Sequence, residues 1–160
     1  MARVQLSKIE EIIGHQKFLK ASFVNELDES TTYVHQHIDD VFGDIGLSAS
    51  IILQNKELAI GYGHALKAKV DRQQQYIMTE FLTGILYSHW DGILERVSPR
   101  PNGYPWDDPA YMGEVEYSKD ICPQTLDILG RTLRFEFNMN IEHARLIAIA
   151  VNKVDVVLGK

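Results

Sequence analysis

Asp120-Ile121-Cys122-Pro123-Gln124-Thr125-Leu126-Asp127-Ile128-Leu129-Gly130-Arg131-Thr132-Leu133-Arg134-Phe135-Glu136-Phe137, followed by Asn140-Ile141-Glu142-His143 and an apolar run to Leu158, decides how this chain is read. Pro123 suits the first turn of a helix, where its missing N–H costs nothing, and Leu126, Ile128 and Leu129 give that helix an apolar side. Leu133, Phe135 and Phe137 alternate with Thr132, Arg134 and Glu136, the period of a strand with one buried face. Asn140 can cap a closing helix, and Glu142 favours its positive end. Ala144, Ile147, Val151, Val154 and Leu158 then form an inward stripe at helical spacing. The stretch predicts helix, strand and helix in that order.

Upstream, Ile9, Ile12, Ile13, Leu19, Phe23 and Leu27 recur at three- and four-residue steps, with Lys8, Glu10, Glu11, Lys17 and Lys20 largely between them. This predicts a long amphipathic helix over residues 1–27, with Ser7 and Glu10 spaced as a capping box. Residues 28–46 are polar and poorly periodic, so they read as a connection with at most one helical turn. Leu47, Ala49, Ile51 and Leu53 alternate with Ser48, Ser50 and Ile52 as a strand. Asn55 can cap a second helix whose face carries Leu58, Tyr62, Ala65, Leu66 and Val70, although Gly61 and Gly63 weaken it. Residues 76–90 fit both a helix, from four-residue repeats, and a bent extended segment, from β-branched and aromatic content with Gly84. All five prolines fall between Pro99 and Pro123, which makes 97–121 a long loop. Tyr104, Trp106, Tyr111 and Tyr117 give that loop apolar surface with which to pack.

The 160 residues fit one domain, divided into a helix over 1–27, a strand-helix-strand region over 47–96, the loop over 97–121 and a helix-strand-helix unit over 122–158. The expected fold class is α+β: a mostly antiparallel sheet of three or four strands, covered on one face by the N-terminal, middle and C-terminal helices. Hydrophobic residues at 45% and charged residues at 24% are ordinary for a globular domain and speak against disorder. A net charge of -6 without any basic block argues against nucleic acid or an anionic membrane surface as partner. No apolar run reaches the roughly 18 residues of a membrane span, and the N-terminus does not lead into a signal-peptide core. With Cys122 as the one cysteine, this predicts a cytoplasmic protein without an internal disulfide.

Three stretches resemble one family. Tyr87-Ser88-His89-Trp90-Asp91-Gly92-Ile93-Leu94-Glu95 is similar to a His-Trp segment that precedes a Pro-rich loop. Tyr117 to Leu126, continuing through Arg131-Thr132-Leu133, is similar to a Cys-Pro helix and its following strand. Asn140 to Val154 is similar to a terminal helix. Their order and spacing resemble the C-terminal small domain of the DegT/StrS family of pyridoxal-phosphate-dependent sugar aminotransferases. The first helix would match the one connecting the large and small domains. The final strand departs from the family in lacking the proline often found after it, and residues 71–84 match poorly.

The resemblance implies a much longer enzyme whose large domain holds pyridoxal phosphate, its Schiff-base lysine and its phosphate cradle. No catalytic residue, cofactor-binding residue or metal ligand is placed in this chain by that likeness, so no cofactor is expected here. The lysines lie mostly on polar helix faces or at termini, unlike a desolvated amine nucleophile. The chain is expected to be a truncated or stand-alone small domain, inactive alone. The alternatives are a complementing subunit of a split aminotransferase, and a non-catalytic nucleotide-sugar-binding or protein-interaction module. The implied substrate-binding candidates are Tyr87, His89, Trp90, Tyr104, Trp106 and Arg131. Each also has a structural reading: the aromatics as core seals, the His as a hydrogen-bonded neighbour, and Arg131 as partner of a nearby carboxylate or of helix-end carbonyls. His35, His37, Asp39 and Asp40 offer metal-type ligands in a segment with little predicted order, and Cys122 reads as a packing residue at a helix start. The first helix, deprived of a large domain, predicts an exposed apolar stripe suited to self-association or to a separately encoded large domain.

Overall fold

A computed structural model describes residues 6–69, 76–78, 86–110, 116–137 and 139–159. Its elements are helix α1 (Ile9–Glu26), strands β1 (Tyr33–His35) and β2 (Ser48–Leu53), helix α2 (Lys56–Lys69), strand β3 (Tyr76–Met78), a 3₁₀ turn (Tyr87–His89), the short helix α3 (Asp91–Leu94), helix α4 (Pro123–Gly130), strand β4 (Thr132–Glu136) and helix α5 (Ile141–Leu158). The strands form one antiparallel sheet in the order β1-β2-β4-β3. The expected α+β class and its helix-covered sheet are what the chain adopts. Among the described residues, no helix is long and apolar enough to cross a membrane.

Side-chain alternation divides the sheet into two faces. Ala49, Ile51 and Leu53 of β2 point the same way as Leu133 and Phe135 of β4, and all five are buried. The register pairs Ala49 with Phe135 and Ile51 with Leu133, so the apolar side chains meet across the strands. Helices α1, α2 and α5 cover this face. Phe23 of α1 lies 4.9 Å from Phe135 and 5.5 Å from Phe137, ring centre to ring centre, in tilted arrangements suited to aromatic pairs. Tyr62 and Leu66 of α2 and Ala144, Ile147, Val151 and Val154 of α5 complete the core.

Both predicted asparagine caps form. The Asn55 side chain accepts from the Leu58 N–H at 2.8 Å, and Asn140 accepts from the His143 N–H at 2.9 Å. Asn152 of α5 bridges back to the end of α1, donating to the Glu26 carbonyl at 2.9 Å and accepting from the Asp28 N–H at 3.1 Å. That bridge satisfies a helix-end carbonyl and fixes α1 against α5. At the middle of α1, Gly46 lies so close that a Cβ on it would be 2.5 Å from the Lys17 backbone nitrogen, and its φ is +73°. Only glycine accommodates both conditions.

Four expectations change. The Ser7–Glu10 capping box gives way to Lys8 at the cap position, which has no side-chain capping bond. The connection over 28–46 contains β1, a three-residue edge strand recruited by pairing with β2. For residues 76–90 the two readings narrow to β3 at Tyr76–Met78 and the 3₁₀ turn at Tyr87–His89, with 79–85 outside the described residues. Cys122 is exposed and is not the buried packing residue expected. Val70 and Tyr111, expected to pack on the second helix and in the loop, lie outside the described residues, as does most of 71–84.

Candidate functional site

Two of the three segments that carry the family resemblance meet at Tyr87. Its hydroxyl donates to the Lys119 carbonyl at 2.9 Å and accepts from the Cys122 N–H at 3.0 Å. The second bond satisfies an amide at the start of α4, where intrahelical partners are absent. Tyr87 therefore ties the His-Trp turn to the Cys-Pro helix across the long loop. His89 is exposed, and its Nδ1 lies 3.1 Å from the Ser88 hydroxyl. Trp90 caps α3 and is 46% exposed, so the reading of a buried Trp does not hold.

Within the loop, Tyr104 is 43% exposed and sits under the Arg100 guanidinium, which is 5.0 Å from its ring centre. The Ser98 hydroxyl donates to the Tyr104 carbonyl, and the Tyr104–Pro105 bond is cis. Trp106 meets Tyr117 edge-on at 5.8 Å. These two contacts involve described parts of the loop, and Trp90 and Tyr104 are both partly exposed. Arg131 stands apart from them, at the junction of α4 and β4. Its Nε donates to Asp127 at 3.0 Å and its Nη1 to the Leu53 carbonyl at 2.9 Å. The Asp127 bond is the carboxylate pairing weighed against ligand binding, while the carbonyl it reaches belongs to the end of strand β2 and not to a helix end.

A polar cluster that the sequence reading did not single out joins three elements. The Thr32 hydroxyl lies 2.8 Å from the Tyr62 hydroxyl, and both donate to Asp155 near the end of α5. Burial pushes the Tyr62 hydroxyl up, and the adjacent Asp155 carboxylate pushes it further. Burial also raises Tyr33, to about 12, with the carboxylates of Asp155 and Asp28 adding to the effect. For Asp155 itself, burial acts upward, but the hydrogen bonds from Thr32, Tyr62 and Ser30 outweigh it and hold the carboxyl below its ordinary value. One sequence signal pointed here: an acidic residue next to the apolar stripe in the last turns of a helix, where the dipole disfavours negative charge.

Two lysines of α1 are engaged in structural contacts. Lys20, whose side chain is only 12% exposed, forms a 2.6 Å ion pair with Asp44, and Lys17 donates to the Phe42 carbonyl at 2.8 Å. Among the described residues, no group of three or more His, Cys, Asp or Glu is placed to hold a metal ion. His37 and Asp39 form only an exposed 3.1 Å pair. No model of a known protein family matches the chain, and no curated protein matches it.

Proposed function

We propose that this chain is the small domain of a DegT/StrS-like pyridoxal-phosphate-dependent sugar aminotransferase, acting in the cytoplasm and inactive in transamination without a large domain. The observation that carries the reading is the double hydrogen bond of Tyr87, which joins two separate stretches of family-like sequence into one structural unit. The surface of α1 adds support. Leu19 and Phe23 are buried, whereas Ile9 and Ile12, at the N-terminal end of the same stripe, are 45% and 42% exposed. A cleft of about 470 Å³ lies between Ile12, His15 and Gln16 of α1 and Phe137 and Met139 beyond β4. An apolar helix side bordered by a cleft is what a removed neighbour leaves behind.

Co-expression with a large-domain fragment of a DegT/StrS aminotransferase, ended before its connecting helix, tests this directly. The expected result is co-purification and transamination by the pair. No association with any of several such fragments would overturn the reading. A nucleotide-sugar-binding module is the second reading, favoured by the solvent-facing rings of Trp90 and Tyr104. Thermal-shift measurements with nucleotide sugars separate it: saturable stabilisation supports binding, and a flat response removes it.

A further inference from the structure

The face of the sheet that the helices leave uncovered carries a cleft of about 470 Å³. Strand alternation places Ser48 and Ser50 of β2 and Arg134 of β4 on this face, and Ser50 is the direct cross-strand partner of Arg134. Ile52 of β2 and Ile128 and Leu129 of α4 form the apolar wall. The cleft therefore has a polar half centred on one guanidinium and an apolar half beside it.

The state of Arg134 is unusual. Its Nε is shielded from solvent and has no hydrogen-bond partner among the described residues. Its Nη2 reaches Glu136 only at 3.5 Å. Arg131, three residues earlier, shows what this chain does with an arginine used structurally: donors on both sides of its guanidinium are satisfied at about 3 Å. A shielded donor without a partner is costly, and persists where something else supplies the acceptor. The Nε edge of a guanidinium matches a carboxylate in a planar fork. Because Glu136 offsets part of the positive charge, the site suits a monoanion better than a doubly charged phosphate. The apolar wall calls for a short hydrocarbon body.

We propose that this cleft binds a small organic monocarboxylate, its carboxylate on Arg134 beside the Ser48 and Ser50 hydroxyls and its aliphatic body against Ile52, Ile128 and Leu129. The site stands independently of the aminotransferase reading. Titration of the whole chain with 4-methylpentanoate, followed by NMR of the Arg134 Nε–H and the backbone amides of β2 and β4, tests it. A saturable shift of the Nε–H together with the Ser50 amide is expected. Arg134→Met, with its amide spectrum otherwise retained, should weaken binding at least about tenfold, which is 1.4 kcal/mol. Ile128→Asp places a negative charge on the wall at a position already 43% exposed, so it spares the fold. It should weaken binding comparably, and it decides the matter if Arg134→Met does not fold. Equal shifts with 4-methylpentan-1-ol or with inorganic phosphate, unchanged affinity in Ile128→Asp, or no saturation would each overturn the proposal.

Discussion

The two faces of the sheet are built from alternate residues of the same strands, yet they do opposite work. On the covered face, Ile51, Leu53, Leu133 and Phe135 are fully buried under three helices. On the other, Ser48, Ser50, Arg134 and Glu136 are only partly covered, and one guanidinium nitrogen has no hydrogen-bond partner among the described residues. The difference shows that deep burial and partial exposure of polar side chains are separated by a period-two pattern, so a substitution one residue along a strand moves from one regime to the other.

The largest expected effect is therefore on the covered face. Phe135→Ala removes the ring that meets Phe23, and should destabilise the chain by about 3–5 kcal/mol in denaturant unfolding. A loss under about 1 kcal/mol would mean that the helices do not pack here as described. Next comes the contact that seats α1. Gly46→Ala forces a side chain into a left-handed backbone conformation and against the Lys17 backbone, and should cost about 2 kcal/mol or more by the same measurement.

Asp155→Asn should cost about 1–3 kcal/mol, because it weakens the acceptor that serves both Thr32 and Tyr62. The pH dependence has a definite sign. Since the folded-state carboxyl is held below its ordinary value of 3.8, its contribution is present above that value and is lost as pH falls through the lower folded-state value. Acid unfolding of the Asn variant should accordingly be less steep below about pH 4 than that of the unaltered chain. Identical slopes would remove Asp155 from the acid response. The smallest effect belongs to the open face, where Ser50→Ala should change stability by no more than about 0.5 kcal/mol. A larger change would show that this face is also part of the core.

Much of the covered face was legible in the sequence because periodicity reports burial. Leu133, Phe135 and Phe137 alternate, Ala144 to Val154 recur at helical steps, and Asn55 and Asn140 stand where caps belong. Strand β1 was not legible, since Tyr33-Val34-His35 is too short to show a period and owes its conformation to pairing with β2. Nor was the cluster of Thr32, Tyr62 and Asp155, whose members lie far apart in sequence and meet only once α2 and α5 pack. The candidate site divides in the same way. Tyr87 could be singled out as an aromatic beside a distinctive turn, but its bond to Cys122 depends on where the long loop returns. The resemblance singled out Arg131 and passed over Arg134, and only the folded chain shows that Arg131 is engaged on both sides while the Arg134 Nε has no hydrogen-bond partner among the described residues.

The most direct test of the proposed small-domain identity is to incubate the whole chain with pyridoxal phosphate and an amino donor, reduce with borohydride and locate any modified lysine by mass analysis. The expected result is no single lysine modified in stoichiometric amount and no amino transfer above that of free cofactor. Stoichiometric labelling of one lysine, together with turnover, would contradict it.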